Sequence, residues 1–186
     1  MNKYFIYLIC LFAFLQCKVS QPQPVEEKPV QQYFEFPFEW VGHYKGKLDI
    51  YKENGEATEI NMELLIEYPN SEGYYPWTII YNEKDFRKYG LEVVNPEKGH
   101  YRIDEFNSIR IDGYLNEGHF VSRFEVGGND LLVDYHKTNE GMEVHFYISK
   151  TEPISITGNE IFSTDTIPEV KTYPIFVFQK ALLLKI

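Results

Sequence analysis

The sequence predicts an all-β protein, folded as an antiparallel up-and-down β-barrel of about ten strands. From Tyr33 onward no segment shows the helical period, whereas strand and turn signals recur at roughly the 8–12-residue spacing of sandwiches and barrels. Most connections are short, so consecutive strands are expected to pair antiparallel. A meander of this size tends to curl, and closing it removes both exposed edges.

Short turns separate the first nine predicted strands. The first strand ends at Asn54-Gly55, a dipeptide typical of hairpins. The second, Thr58 to Tyr68, alternates between apolar and polar side chains, as a half-buried strand does. Turn-forming stretches such as PNSEG, PEKG and GGND bound the others. The remaining strands are predicted in YYPWTIIYN, YGLEVVN, HYRIDE, IRIDGYL, HFVSRFEV, LLVDYHK and MEVHFYIS, and the tenth in PIFVFQKALLLKI.

The first strand, in WVGHYKGKLDIY, contains two glycines, which normally weaken a strand interior. Gly42 and Gly46 alternate in phase with Trp40 and Tyr44, so all four point to one face. Glycines on the inner face let a strand bend and pass close to its neighbour at a barrel corner. We therefore expect the first strand to pair with the last, with Trp40 and Tyr44 filling a barrel end. An open half-barrel or a sandwich is the alternative.

This strand resembles the opening strand of lipocalin-like and nitrobindin-like barrels, at Trp40, Gly42, Tyr44 and Gly46. The predicted strand count extends the resemblance over residues 38–186, and the resemblance implies a lipocalin-like barrel. The whole pattern also resembles an uncharacterised group of bacterial lipoproteins, which implies no activity. Nitrobindin-like barrels hold haem through a histidine near the C-terminal end. No histidine follows His145 here, so we expect no haem and predict no other cofactor.

The first residues of the chain predict an export signal. Lys3 precedes an apolar run from Tyr4 to Leu15, which has the length of a signal peptide and is shorter than the roughly 20 residues that span a bilayer. The run resembles a bacterial lipoprotein signal, which implies removal of residues 1–16 and lipidation of Cys17. An ordinary secretory leader with an incidental cysteine is the alternative.

The next segment has almost nothing to bury. Residues 17–32, rich in proline and glutamine, predict a disordered tether after the lipidated cysteine. Residues 33–186 then form the barrel domain. The expected location is the cell envelope, attached to a membrane through the lipid, with the outer membrane favoured over the inner.

Charge restricts the partners. The net charge of the 186-residue chain is −10, and lysines and arginines are scattered without a basic stripe. A phosphate backbone would be repelled, so nucleic acid is excluded as a partner. Fifteen tyrosines and fourteen phenylalanines provide a large core and favour strands.

Turn lengths predict the pairing of the seventh, eighth and ninth strands. If GGND and TNEG are four-residue loops, Val126 faces Leu131 and Lys137 faces Met142. One face of these strands is then apolar, as a core requires, and the other is polar.

The polar face offers a catalytic and a metal-binding interpretation. Asp134 beside His145 could orient an imidazole as a general base, and His136, His145 and a carboxylate could bind zinc. We favour a solvated face with cross-strand ion pairs. The sequence has no nucleophile elbow, phosphate loop or His-Glu-x-x-His pattern, so no residue is predicted to be catalytic and none to be a metal ligand.

A second dense polar stretch is GHYRIDEFNSIRIDGY, residues 99–114. Asp104 and Glu105 could form an acid/base pair there, but we favour a role in fixing the turn around Asn107-Ser108. Aromatic and cationic side chains near a barrel mouth are the candidate ligand-binding residues: Trp40, Tyr44, Trp77, Arg102 and Tyr114. Three others could join such a site: Tyr75, Arg87 and Tyr89.

The stretch from Lys150 to Tyr173 is far longer than any other connection. Loops of more than about 12–15 residues are uncommon in compact domains and are often lids or binding loops. It also carries apolar residues, including Ile156 and Phe162. We expect it to fold across one barrel end and bury them there, as a gate or as a static plug.

These observations predict a membrane-anchored lipoprotein whose barrel binds a small apolar or amphipathic ligand. The alternative is a structural or interaction lipoprotein of the cell envelope, with a packed barrel and a protein partner. An enzyme ranks last.

Overall fold

A computed structural model describes residues 35–186, which fold into a closed barrel of ten antiparallel strands. Two 3-10 helices, Phe38–Trp40 and Pro96–Lys98, accompany the strands, and among these residues no helix is long and apolar enough to cross a membrane. The barrel strands are β1 (Gly42–Lys52), β2 (Ala57–Ile66), β3 (Tyr75–Tyr81), β4 (Asp85–Asn95), β5 (His100–Asp104), β6 (Arg110–Asn116), β7 (His119–Val126), β8 (Asn129–Lys137), β9 (Gly141–Lys150) and β14 (Ile175–Lys185).

The topology is the predicted meander. Strands β1 to β9 are hydrogen-bonded in chain order, and β14 lies between β9 and β1. β1 pairs with β14 from Tyr44 opposite Lys185 to Lys52 opposite Val177. Closure by the first and last strands is therefore confirmed.

Gly46 lies at a close approach of β1 to β14. A Cβ atom built on Gly46 would collide with the backbone carbonyl oxygen of Leu182, which cannot move without disturbing the sheet. Only a residue without a side chain fits this approach, so the expected close passage of the first strand beside its neighbour is confirmed at Gly46.

One end of the barrel, here called the closed end, is filled by aromatic side chains. Trp40 lies in the 3-10 helix that precedes β1 and is fully buried, as is Tyr44, whose hydroxyl donates to the Trp40 carbonyl at 2.7 Å. The Phe36 ring packs edge-on against Trp40 and Tyr101, with centroids 4.6 Å away in both cases, and stacks on Phe120 at 5.1 Å. The prediction that Trp40 and Tyr44 fill a barrel end is confirmed.

The turn between β7 and β8 differs from the sequence prediction. Gly127 and Gly128 form a two-residue turn, both with positive φ (57° and 76°), as a tight hairpin needs. Val126 therefore lies opposite Asn129, and the predicted pairing of Val126 with Leu131 is wrong. Because the register moves by two residues, each side chain keeps its predicted face. Between β8 and β9 the predicted pairing is confirmed, with Lys137 opposite Met142.

Residues 151–174, here called the arm, form a β-hairpin rather than a lid. β10 (Ser155–Thr157) pairs with β13 (Val170–Thr172), and β11 (Glu160–Phe162) pairs with β12 (Asp165–Ile167). The arm's own strands satisfy one another's backbone groups, so it holds its shape without contacts to the barrel interior. Four of its apolar side chains are 56–76% exposed: Ile154, Ile156, Ile161 and Phe162. The prediction that they are buried across a barrel end is wrong.

Trp40 should be essential to the closed end. We expect Trp40→Ala to lower the free energy of unfolding by about 3–5 kcal/mol, because a large aromatic side chain leaves a cavity that the rigid barrel cannot collapse around. Chemical denaturation measures the change. Phe38→Ala is the matched control from the same helical turn, and because Phe38 is 52% exposed it should change stability little. Equal losses in the two variants would contradict the packing described here.

Candidate functional site

The other end of the barrel, here called the open end, contains an internal cavity of about 270 Å³. Arg87, Glu105 and Val126 lie beside open-end turns and mark its mouth, while Trp77 and Phe120 separate it from the closed end. The other lining residues are inward-facing and largely apolar: Ile79, Tyr81, Tyr89, Ile103, Ile111, Ser122, Phe124, Leu131, Val133, Tyr135 and Phe146.

Three tyrosines add phenol groups to the lining of the cavity. Burial raises the pKa of Tyr81 to about 12 and also raises the pKa values of Tyr89 and Tyr135. All three phenols therefore stay protonated near neutral pH, and each can donate or accept a hydrogen bond. The cavity is thus an aromatic enclosure with a few neutral hydroxyl groups.

Arg87 supplies a cation at the mouth. Its Nη2 donates to Asp85 Oδ2 at 3.0 Å, and its guanidinium lies 5.2 Å from the centroid of the Tyr81 ring. The hydrogen bond to Asp85 raises the pKa of Arg87, which keeps the group charged. A wider concavity of about 520 Å³ shares Tyr81 and Arg87 and extends toward Leu48 and Ile60. The two side chains therefore divide the open end into two lobes.

The five predicted ligand-binding residues are not brought together. Trp77 is buried and lines the cavity. Trp40 and Tyr44 are buried in the closed end. Arg102 lies on the outer face, where its Nε donates to Asp112 at 2.9 Å. Tyr114 is also on the outer face, 49% exposed and stacked on the His100 ring at 4.8 Å.

Strand alternation could have identified more of the lining residues. On β4, Arg87 and Tyr89 share the face of buried Leu91, and both line the cavity. They had been considered for a site at the mouth. Tyr81 and Tyr135 were missed, although each shares its face with core residues of its own strand. Arg102 lies between inward-facing Tyr101 and Ile103, which already indicated that it points outward.

The polar outer face of β7 to β9 does not form the Asp134–His145 pair of the catalytic interpretation. Asp134 lies opposite His145 in register, but both its carboxylate oxygens accept from Nδ1 of His119 at 3.0 Å. His145 instead stacks with Phe178 at 6.1 Å. Among residues 35–186 no group of three His, Cys, Asp or Glu side chains could hold a metal ion.

Asp104 and its neighbours stabilise the turn between β5 and β6. Asp104 is buried, accepts from the Phe106 amide at 2.7 Å and pairs with Arg110 at 3.0 Å. Asn107 accepts from the Ile109 amide at 3.0 Å. These contacts support the structural interpretation of the cluster over an acid/base pair.

No family model matches the chain, and no curated protein matches it. The fold is similar to the crystal structure of a protein of unknown function from the DUF3598 family of Nostoc punctiforme, with a TM-score of 0.61 and 6% sequence identity. The match covers 87% of this chain and 54% of that one, so the chain spans about half the length of that protein. At this identity the likeness shows the shared barrel fold alone.

The two tryptophans of the chain can report on the cavity separately. In Trp40→Phe the emitting residue is Trp77, which lines the cavity, and in Trp77→Phe it is Trp40, in the closed end. Iodobenzene is small and apolar, and its iodine quenches an indole that it touches. We expect it to quench Trp40→Phe at concentrations that leave Trp77→Phe unchanged. Equal quenching of both variants, or of neither, would show that the cavity does not admit small apolar molecules.

Proposed function

We propose that this protein is a lipid-anchored lipoprotein of the cell envelope whose barrel binds a small apolar or amphipathic ligand. The cavity at the open end is the observation that carries the proposal. It combines an aromatic and aliphatic lining with three phenol groups and a charged mouth, which is the usual composition of a small-molecule site. The lipidated residue, Cys17, lies outside the described residues, and the sequence alone supports that part.

The volume of the cavity limits the size of the ligand. Apolar cavities of about 150 Å³ bind benzene, so a cavity of about 270 Å³ accommodates a bicyclic aromatic or a short alkyl chain. Aromatic faces at Trp77 and Tyr135 favour stacked or edge-on contacts with a ring. A polar group on the ligand would be placed near Tyr81, Tyr89 or Arg87, where the lining changes from apolar to polar.

The path of the chain agrees with an anchored binding protein. Residue 35 meets the barrel at the closed end, beside Phe36 and Trp40. The cavity mouth lies at the opposite end of the barrel. A ligand would therefore enter at the end away from residue 35.

A structural or interaction lipoprotein is the second candidate, and the arm favours it. Ile161 and Phe162 at its outer hairpin are 76% and 73% exposed, and exposed apolar groups of this kind are typical of protein contacts. The arm would then meet a protein partner, with the cavity playing no part.

Blocking the cavity tests the ligand directly. The inward-facing Leu131 lines the cavity, whereas its neighbour Leu132 lies on the outer face. We expect wild type and Leu132→Trp, purified from the native host, to carry the same small molecule, detected by mass spectrometry after organic extraction. Leu131→Trp should lose it, because the indole occupies its space. Equal amounts in both variants, or none in the wild type, would contradict ligand binding and favour the second candidate.

Lipid anchoring requires Cys17. We expect Cys17→Ser to abolish incorporation of a labelled fatty acid and to move the protein from the membrane fraction to the soluble fraction, because serine offers no thiol for acylation. Cys10→Ser is the matched control, since that residue lies in the predicted signal peptide, and it should remain labelled and membrane-bound. A wild type that takes up no label, with Cys17→Ser still in the membrane fraction, would show that the leader is not a lipoprotein signal.

A further inference from the structure

Two histidines face each other on the outer surface, away from the cavity. His119 on β7 lies directly opposite His136 on β8. Their rings are stacked, with centroids 4.0 Å apart and planes within 10° of parallel. The side chains remain 39% and 22% exposed, so solvent and ions reach them.

A carboxylate holds each ring through the same nitrogen. Nδ1 of His119 bonds both oxygens of Asp134 at 3.0 Å, and Nδ1 of His136 lies 3.5 Å from Oε2 of Glu143. An ionised carboxylate only accepts hydrogen bonds, so both contacts favour the tautomer with the proton on Nδ1. In the neutral ring the lone pair is then on Nε2.

This arrangement differs from that of two other histidines on the barrel surface. His43 and His100 use Nε2 for their carboxylate contacts, each at 2.7 Å, with Glu63 and Asp112. Nε2 is therefore already occupied in those rings. A carboxylate on Nδ1 with Nε2 left outward is the usual arrangement around a metal-ligating histidine, where the carboxylate fixes the tautomer and increases the basicity of the ligand.

We propose that His119 and His136 bind one divalent transition-metal ion through their Nε2 atoms, with Asp134 and Glu143 as the outer carboxylates and water in the remaining coordination positions. Two nitrogens bound to the same zinc lie no more than about 4.2 Å apart. Because the two rings are parallel, with centroids 4.0 Å apart, both must tilt out of the stack so that their Nε2 lone pairs converge on the ion. Among residues 35–186 no third His, Cys, Asp or Glu side chain completes the coordination, so the site is open and can also accept a donor atom from another molecule.

Gly118, in the turn before β7, adds no side chain beside the pair. A Cβ atom built there would lie 3.9 Å from Nε2 of His136. Imidazole ligands select Zn²⁺, Ni²⁺ and Cu²⁺, with Cu²⁺ the tightest. Ca²⁺ and Mg²⁺ prefer oxygen ligands and should not bind here.

The test is calorimetric titration of tag-free full-length protein with ZnCl₂ after treatment with a chelator. We expect one saturable site in the wild type and its loss in the double variant His119→Gln/His136→Gln. The matched control, His43→Gln/His100→Gln, removes two carboxylate-paired histidines and should keep the site. All three proteins carry the same cysteines, so any zinc bound by thiols cancels in the comparison.

A second variant tests whether the Asp134 carboxylate strengthens zinc binding by the two imidazoles. Asp134→Asn should weaken zinc binding by about 10–100-fold, whereas Asp130→Asn, which alters a carboxylate on the same strand that pairs with Arg123, should leave it unchanged. Circular dichroism checks that the variants are folded. The proposal is overturned if the wild type shows no saturable zinc binding, if the His119/His136 variant binds as tightly as the wild type, or if Asp134→Asn has no effect.

Discussion

The barrel depends on the antiparallel pairing of β1 with β14. Without it, both strands would present unpaired backbone N–H and C=O groups at the edges of a ten-strand sheet, an arrangement prone to association with other chains. The pairing runs nearly the whole length of both strands. It also requires glycine at position 46, since β1 approaches the Leu182 carbonyl too closely for any Cβ atom. A single backbone contact thus explains a residue that would otherwise weaken the strand.

Closure also determines where the interior is packed and where it is not. Phe36 and Trp40, which precede β1, fill the closed end together with inward-facing aromatics. No comparable segment fills the open end among residues 35–186, because the arm pairs with itself and keeps its apolar groups in solvent. The cavity follows from this asymmetry.

Side chains alternate between the two faces of each strand. This alternation forms the cavity lining and also separates it from the polar groups on the outer surface. Inward positions on β7 and β8 are Phe124, Leu131 and Val133, whereas the outward positions carry charged and imidazole groups. The tight turn at Gly127-Gly128 then sets which outward groups meet. It places His119, rather than Val121, opposite His136. The proposed ligand cavity and the proposed metal site therefore lie on opposite faces of the same two strands and can be tested independently.

The sequence by itself determined the β-class, the number and order of the barrel strands, their faces and the closure, because alternation, turn residues and in-phase glycines are local signals. It also predicted the burial of Trp40. Only the tertiary structure decided the β7–β8 register, the exposure of the arm and the position of the cavity. The register of a hairpin depends on the geometry of its turn, which Gly127 and Gly128 change here. The cavity is the volume that side chains from many strands leave unfilled. For that reason Trp77 could be anticipated, whereas its enclosure with Tyr81 and Tyr135 could not.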